Sequence, residues 1–531
     1  MTFIEPIFLV FLLASFVLFY ICPVKFRWMM LLAISIVFYA IAGVKFLPFI
    51  FVTSFSVYLG GKKMGKIYDQ MDIELKAEGI DKAAKKQIIE KAKSRCKRVL
   101  VLLLVFNIAI LSVVKFTKFF IDPINDLLVS MGGSGNFKAS YIIVPLGISY
   151  YTFSSLSYLM DVYWKRVGYE KNYFRFLLYA IYFPHILQGP IERYTRLGAR
   201  LKEELRFDYD RATKGLQLMA YGYFKKLVVA DRIGMFITAT YADYENTGGI
   251  LLLLSIFLDV VYIYADFSGC MDIARGVSQI FGVELDLNFN HPFSSKSVTE
   301  FWRRWHMSLG GWFKDYVYYP VSTSRLCKNL NKKMRNTCPD RVTRSVVTAI
   351  PVTVTWVLTG VWHGTGITYV SWGVYYAFMI FMSVSFAEDF HNLGKKLKIN
   401  YDTATWRFFQ MFRTTCIFAG GRLLTRPGTL KDSVGIIKRV FKNFDPWTLT
   451  DGSLYTYGLS IENVFIAVIA VAVFGVISYL QKHGDVSVRE LIASQNIVFR
   501  WAIYLFMIFV VLIFGIYGPG YDAASFVYMA Y

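Results

Sequence analysis

Apolar runs recur along the whole chain, at roughly 7–22, 28–42, 46–60, 99–116, 141–160, 173–190, 216–240, 249–270, 345–363, 366–386, 405–424, 461–480 and 499–517. Each is long enough, or nearly so, to cross a bilayer. In lipid every backbone N–H and C=O needs a partner inside the protein, so runs of this kind fold as helices. The pattern predicts an all-α polytopic membrane protein with about eleven transmembrane helices. No polar stretch is long enough to hold a second core, so 1–531 reads as a single membrane domain.

Charge sets the orientation. The net charge of +21 comes from 58 Lys and Arg against 37 Asp and Glu. In a soluble protein it would point to nucleic acid, but here the basic residues sit in short connections between apolar runs, as the positive-inside rule requires. Lys25 and Arg27 mark the first connection as cytoplasmic and place the N-terminus outside. The stretch 62–98 holds Lys62, Lys63, Lys66, Lys82, Lys85, Lys86, Lys91, Lys93, Arg95, Lys97 and Arg98, and reads as a helical, amphipathic cytoplasmic excursion. Glu5 and Pro6 precede the first run without a basic region or a small-residue cleavage site, so that segment is expected to be retained. The six cysteines are scattered without a C-x-x-C or a zinc-type Cys/His spacing.

Two segments depart from simple spans. The run 173–190 contains Pro184, Gly189 and Pro190 and has basic residues on both flanks. It is expected to be broken, and broken backbone at membrane depth belongs inside protein or beside a water-filled cavity. The strip 281–319 is aromatic, basic and punctuated by glycine. Ser297 and Glu300 form a capping-box pattern that starts a helix near Val298. Continued through the strip, that helix would carry Trp302, Trp305, Leu309 and Trp312 on one face, with His306 near it. The same pattern suits an interfacial helix whose tryptophans form a belt.

Histidines are the sharpest chemical signal, because an imidazole within or beside a membrane segment is costly unless paired or used. His391 and His483 lie among lysines in polar stretches, and His291 precedes Pro292 in a turn; all three read as structural or solvated. His185 sits in the broken segment, as a cavity-lining residue or a core hydrogen bonder. His363 closes the run 345–363 just before Gly364 and Gly366, which puts an imidazole at a helix C-terminus. General-base help from such a group is worth about 10²–10⁴-fold. No phosphate-binding glycine loop, nucleophile elbow or metal motif occurs. Asp259 and Asp266 lie in an apolar run, and intramembrane carboxylates mark ion routes or buried partners. A transporter or export scaffold for an acylated polymer precursor is therefore the alternative to an enzyme.

The order of VPLGISYYTFSSLSYLMDVYWKR, YFPHILQGPIERY, DFSGCMDIARGVSQIFGVELDLNFNHPF, FWRRWHMSLGGWFKDYVYYP and GVWHG resembles the membrane-bound O-acyltransferases, and within them the membrane subunits of alginate-type O-acetyltransferases. The resemblance implies a ring of membrane helices with re-entrant and interfacial pieces around a central funnel. It implies His363 and His306 as catalytic residues, and a substrate tunnel with Trp302, Trp305, Trp362, Asn288, Asn290 and His185. The aromatic tail resembles endings in which a tyrosine carries the acyl group, which makes Tyr528 a candidate acceptor. It further implies acetyl-CoA or another acyl thioester as co-substrate with no bound cofactor or metal, a serine-hydrolase-like acyltransferase outside the membrane as partner, and a bacterial inner (cytoplasmic) membrane location with lipid, not nucleic acid, as surroundings. At 531 residues the chain is longer than D-alanylation relatives, which favours the alginate-type branch.

Overall fold

The computed structural model describes residues 1–78, 80–133, 145–187, 189–484 and 487–517, apart from a few side chains between 118 and 126. Every regular element among the described residues is helical, as the apolar runs predict. Seven stretches among them are long and apolar enough to cross a membrane. The chain divides into two compact units, Met1–Gly215 with Val277–Asp286, and Leu216–Gly276 with Leu287–Tyr531.

In the first unit α1 (Pro6–Ile21), α2 (Arg27–Gly43), α3 (Leu47–Glu74), α4 (Lys82–Ser130), α5 (Ile148–Tyr163) and α6 (Tyr173–Ile181) follow in order. Helix α3 packs against α4, α5 and α6. It does so through small residues, because a Cβ at Gly61 would press on Tyr158 and one at Gly65 would collide with Tyr169. The basic stretch 62–98 is helical, but it is no separate surface helix. The last turns of α3 and the first turns of α4 build it, with Asp81 accepting from the Ala84 N–H at 2.7 Å to start α4. Its 49 residues give α4 a length of about 74 Å, far more than a bilayer core. The run 173–190 is broken as expected: α6 stops at Ile181 and a single turn, Phe183–Ile186, follows. Gly147, at φ 68, lets the chain pass against the Ile186 carbonyl, where any Cβ would collide.

The second unit contains most of α7 (Gly249–Ile280), then α8 (Val298–Arg304), α9 (Met307–Phe313), α10 (Asp340–His363), α11 (Ile367–Ser385), α12 (Ala404–Thr425), α13 (Ile461–His483) and α14 (Ile497–Phe514). Helices α10 and α11 form an antiparallel hairpin that packs on α12, and α8 lies against both α11 and α12. A π-helical stretch, Phe224–Ala230, packs on α13 and α14. It buries two consecutive lysines, each with partners on α7: Lys225 donates to Ser268 at 3.0 Å and Asp272 at 2.6 Å, and Lys226 donates to Asp266 at 2.6 Å and also to Asp231 at 2.7 Å. Asp259, on the same helix, accepts from Arg422 of α12 at 2.9 and 3.2 Å and has Arg426 at 3.5 Å. Both intramembrane carboxylates singled out from sequence are thus held by cations. Desolvation makes a lone buried charge expensive, and pairing offsets it.

Candidate active site

The strip around His306 is not one helix. Ser297 caps α8 by accepting from the Glu300 N–H at 3.2 Å, as predicted, but Glu300 returns to the Lys296 N–H at 2.9 Å instead of closing a reciprocal box. Helix α8 ends at Arg304, and α9 begins at Met307. Between them His306 adopts φ 47, the left-handed region that a side chain other than glycine, asparagine or aspartate enters at a cost.

The extended segment 288–290 holds the break open. The Asn290 N–H donates to the Arg304 carbonyl and the Met307 N–H to the Asn288 carbonyl, both at 2.9 Å. The Asn288 side-chain oxygen accepts from the Ser308 N–H at 2.9 Å and from its hydroxyl at 3.0 Å, serving as a cap for α9. That fixes the amide, whose Nδ2 then stands 3.1 Å from His306 Nδ1. Nδ1 also lies 3.3 Å from the Asn288 oxygen, which the Ser308 N–H and hydroxyl already occupy; with the nearer amide nitrogen donating, Nδ1 is the acceptor and the ring proton is assigned to Nε2. His306 is 2% exposed, and its burial pushes the imidazole down to about 3, so the ring is neutral near pH 7. Phe267 meets it edge-on at 4.7 Å.

The break also separates the tryptophans that a continuous helix would have aligned. Trp302 packs on Trp356, Trp372 and Tyr376 with ring centroids 4.7, 5.6 and 4.7 Å away. Trp305 lies among Phe289 and Phe418 at 5.0 and 4.9 Å. Trp312 packs beside Tyr316. Trp305 and Trp312 are buried in protein, so they form no interfacial belt.

His363 ends α10 as predicted. Gly360 and Gly364 flank it because Tyr369 of α11 crosses there: a Cβ at Gly360 would strike the Tyr369 carbonyl and one at Gly364 its ring. The His363 ring is 9% exposed and lies between Trp362 at 4.8 Å and Trp372 at 5.1 Å. The His306 ring centroid is 6.1 Å from the same Trp362. Two imidazoles from elements far apart in sequence therefore pack on one indole.

Of the other residues expected at the site, Asn288 anchors His306, Asn290 ties the break, and Trp302 and Trp305 form the aromatic walls. His185 belongs to the first unit, where its Nε2 lies 3.1 Å from the Tyr179 carbonyl in a fully buried setting. Tyr528 lies outside the described residues. Trp356, Trp372 and Tyr376 complete the aromatic surroundings and were not singled out from sequence; their spacing is that of any apolar helix.

Comparison with known proteins places this chain in a family. Residues 163–337, which include His306, match the model of the membrane-bound O-acyltransferase (MBOAT) family. The teichoic acid D-alanyltransferase of Bacillus subtilis is 31% identical over 52% of this chain and 69% of its own length. The chain belongs to the membrane-bound O-acyltransferase family. This O-acyltransferase is also similar to the probable alginate O-acetylase AlgI of Azotobacter vinelandii, at 27% identity over 90% of the chain and 85% of that protein. A peptidoglycan O-acetyltransferase of Helicobacter pylori is 25% identical over 71% of the chain and 69% of that protein. The apolar helices and the family together make the O-acyltransferase a multi-pass membrane protein.

Proposed function

We propose that the chain carries an acyl group, in the first instance acetyl, from a cytosolic thioester donor through the bacterial inner membrane for O-acylation of an extracytoplasmic polysaccharide. The observation that carries this reading is the packing of His306 and His363 on Trp362. The three kinds of relative support it, since each name describes transfer of an acyl group in the making of a cell-surface polymer. Orientation supports it too. The approach to α10 carries Arg325, Lys328, Lys332, Lys333, Arg335, Arg341 and Arg344, which assigns that end to the cytoplasm and His363 to the opposite end of the helix.

In this reading His363 removes the proton of an acceptor hydroxyl, on Tyr528 or on a serine of an extracytoplasmic hydrolase-like partner, as its oxygen attacks the thioester carbonyl. The C–O bond forms, the C–S bond breaks, and the proton passes from His363 to the departing thiolate. His306, neutral with its proton on Nε2, donates to the oxygen that gains charge in the tetrahedral intermediate. Acetyl-CoA or a carrier-protein thioester supplies the group already activated.

The test is donor turnover by the purified protein. His363→Ala should lower labelled-acetyl transfer by about 10²–10⁴-fold while the variant inserts and elutes like wild type. His306→Ala should lower the rate by a comparable factor, with the loss in kcat. Wild-type transfer by the folded His363→Ala protein would refute the assignment.

A further inference from the structure

The second unit holds a cavity of about 720 Å³, and Asn288 and Asn290 bring its lining up to the break that carries His306. One side is apolar, with Phe465, Ile469 and Phe474 from α13 and Met507, Val510 and Phe514 from α14. The other side is polar and charged. Lys225, Arg275 and Arg489 line it against a single carboxylate, Asp272, which leaves a net charge of +2. Three of its polar residues keep a buried atom without a hydrogen-bond partner among the described residues: Gln217 Oε1, Arg275 Nε and His291 Nδ1. Buried polar atoms in that state cost about 1–3 kcal/mol each, which a bound polar group recovers.

The position of the charges selects the occupant. The last turn of α13, the short connection and the first turn of α14 carry Lys482, Arg489 and Arg500, which assigns that end to the cytoplasmic side. Asp272 and Arg275 lie near the end of α7, and the cavity brings them to that same connection. No described residue of α14 is fully buried, and Phe506 on α14 and Phe465 on α13 are exposed, so the outer wall is a helix pair bathed in lipid. An acetyl thioester would set its phosphates on the same cations but brings no long apolar chain to the wall of α13 and α14. A basic pocket between membrane helices on the cytoplasmic side is a site for a lipid phosphate.

We propose that this cavity binds one anionic glycerophospholipid of the cytoplasmic leaflet, with its phosphate on Arg275, Arg489 and Lys225 and an acyl chain between α13 and α14. The proposal needs no step of the acyl transfer, although Asn288, which anchors His306, lines the same cavity. The test is lipid retention by the full chain, purified in mild detergent and exchanged into nanodiscs of phosphatidylglycerol or of phosphatidylcholine, read by native mass spectrometry and by quantitative lipid extraction. Wild type should keep about one phosphatidylglycerol per chain and should not keep phosphatidylcholine. Arg275→Gln/Arg489→Gln should weaken retention about thirtyfold, from roughly fivefold per charge removed near the membrane surface. Ile469→Trp, which fills the apolar side and leaves the cations in place, should also abolish it. Arg500→Gln, in the first turn of α14 but outside the cavity lining, should keep the lipid. Equal retention of the two lipids, no retained lipid in wild type, or unchanged retention in both cavity variants would overturn the proposal. So would one-for-one displacement by acetyl-CoA, which would give the cavity to the thioester donor.

Discussion

At the scale of single residues, Asn288 does more than its place in a loop suggests. One oxygen caps α9, one nitrogen meets His306 Nδ1, and its backbone carbonyl receives Met307. In the proposed mechanism it is a positioning residue, acting on the reaction through the imidazole. Replacing it by aspartate exchanges a donor for a carboxylate. Nδ1 then keeps the proton, which leaves Nε2 of the neutral ring bare, and the adjacent negative charge raises the ring's pKa. In the proposed mechanism the proton on Nε2 is the one that works, so the neutral ring of this variant cannot donate and only its imidazolium can. In Asn288→Asp kcat should therefore fall near pH 7, and the ratio of its kcat to that of wild type should rise as pH drops through the raised value, with KM little changed. A kcat lowered by the same factor at every pH would confine Asn288 to packing.

At the scale of helices, the α10–α11 hairpin rests on glycines that serve close approach. A Cβ at Gly373 would press on the Trp356 carbonyl and on the Val357 backbone, neither of which can rotate away. Gly373→Ala is expected to cost about 1–3 kcal/mol and to lower the melting temperature in detergent. Gly475→Ala in α13, where a Cβ would meet none of the described residues within 4 Å, should be neutral or stabilising by up to about 1 kcal/mol. Equal effects in the two variants would mean that the hairpin contact is not a tight one. The helices themselves were legible in the sequence, because an apolar run in lipid has one backbone solution. The break at His306 was not. It depends on Asn288, 18 residues earlier, reaching across to cap α9, and no local pattern in 298–313 records that bond. The histidine at the end of α10 was legible because the glycines that stop the helix are its neighbours. The cavity between α13 and α14 was illegible for a different reason: its charges come from three separate segments, and each reads alone as an ordinary membrane-flanking cation.

At the scale of the molecule, several buried charges of the second unit settle into pairs. Asp259 and Arg422 join α7 to α12, and Lys226 joins the π-helical stretch to Asp266. Arg422→Met leaves Asp259 facing only the longer contact with Arg426, and should lower stability by about 3–5 kcal/mol. Asp259→Leu/Arg422→Met removes both members and should recover most of that loss, since a buried pair is often replaceable by well-packed apolar groups. Thermal unfolding of the three proteins in one detergent checks the order, and a double variant as unstable as the single would contradict a purely structural pair. The same pair constrains how the protein is made. Asp259 leaves the ribosome 163 residues ahead of Arg422. At about 5–20 residues per second, that is a delay on the order of ten to thirty seconds. Throughout it the emerging segment carries a carboxyl group worth about 2.5–3.5 kcal/mol against entry into the bilayer centre. Its leucines, isoleucines and valines must outweigh that burden alone, and final seating of the segment waits for an arginine that has not yet been translated.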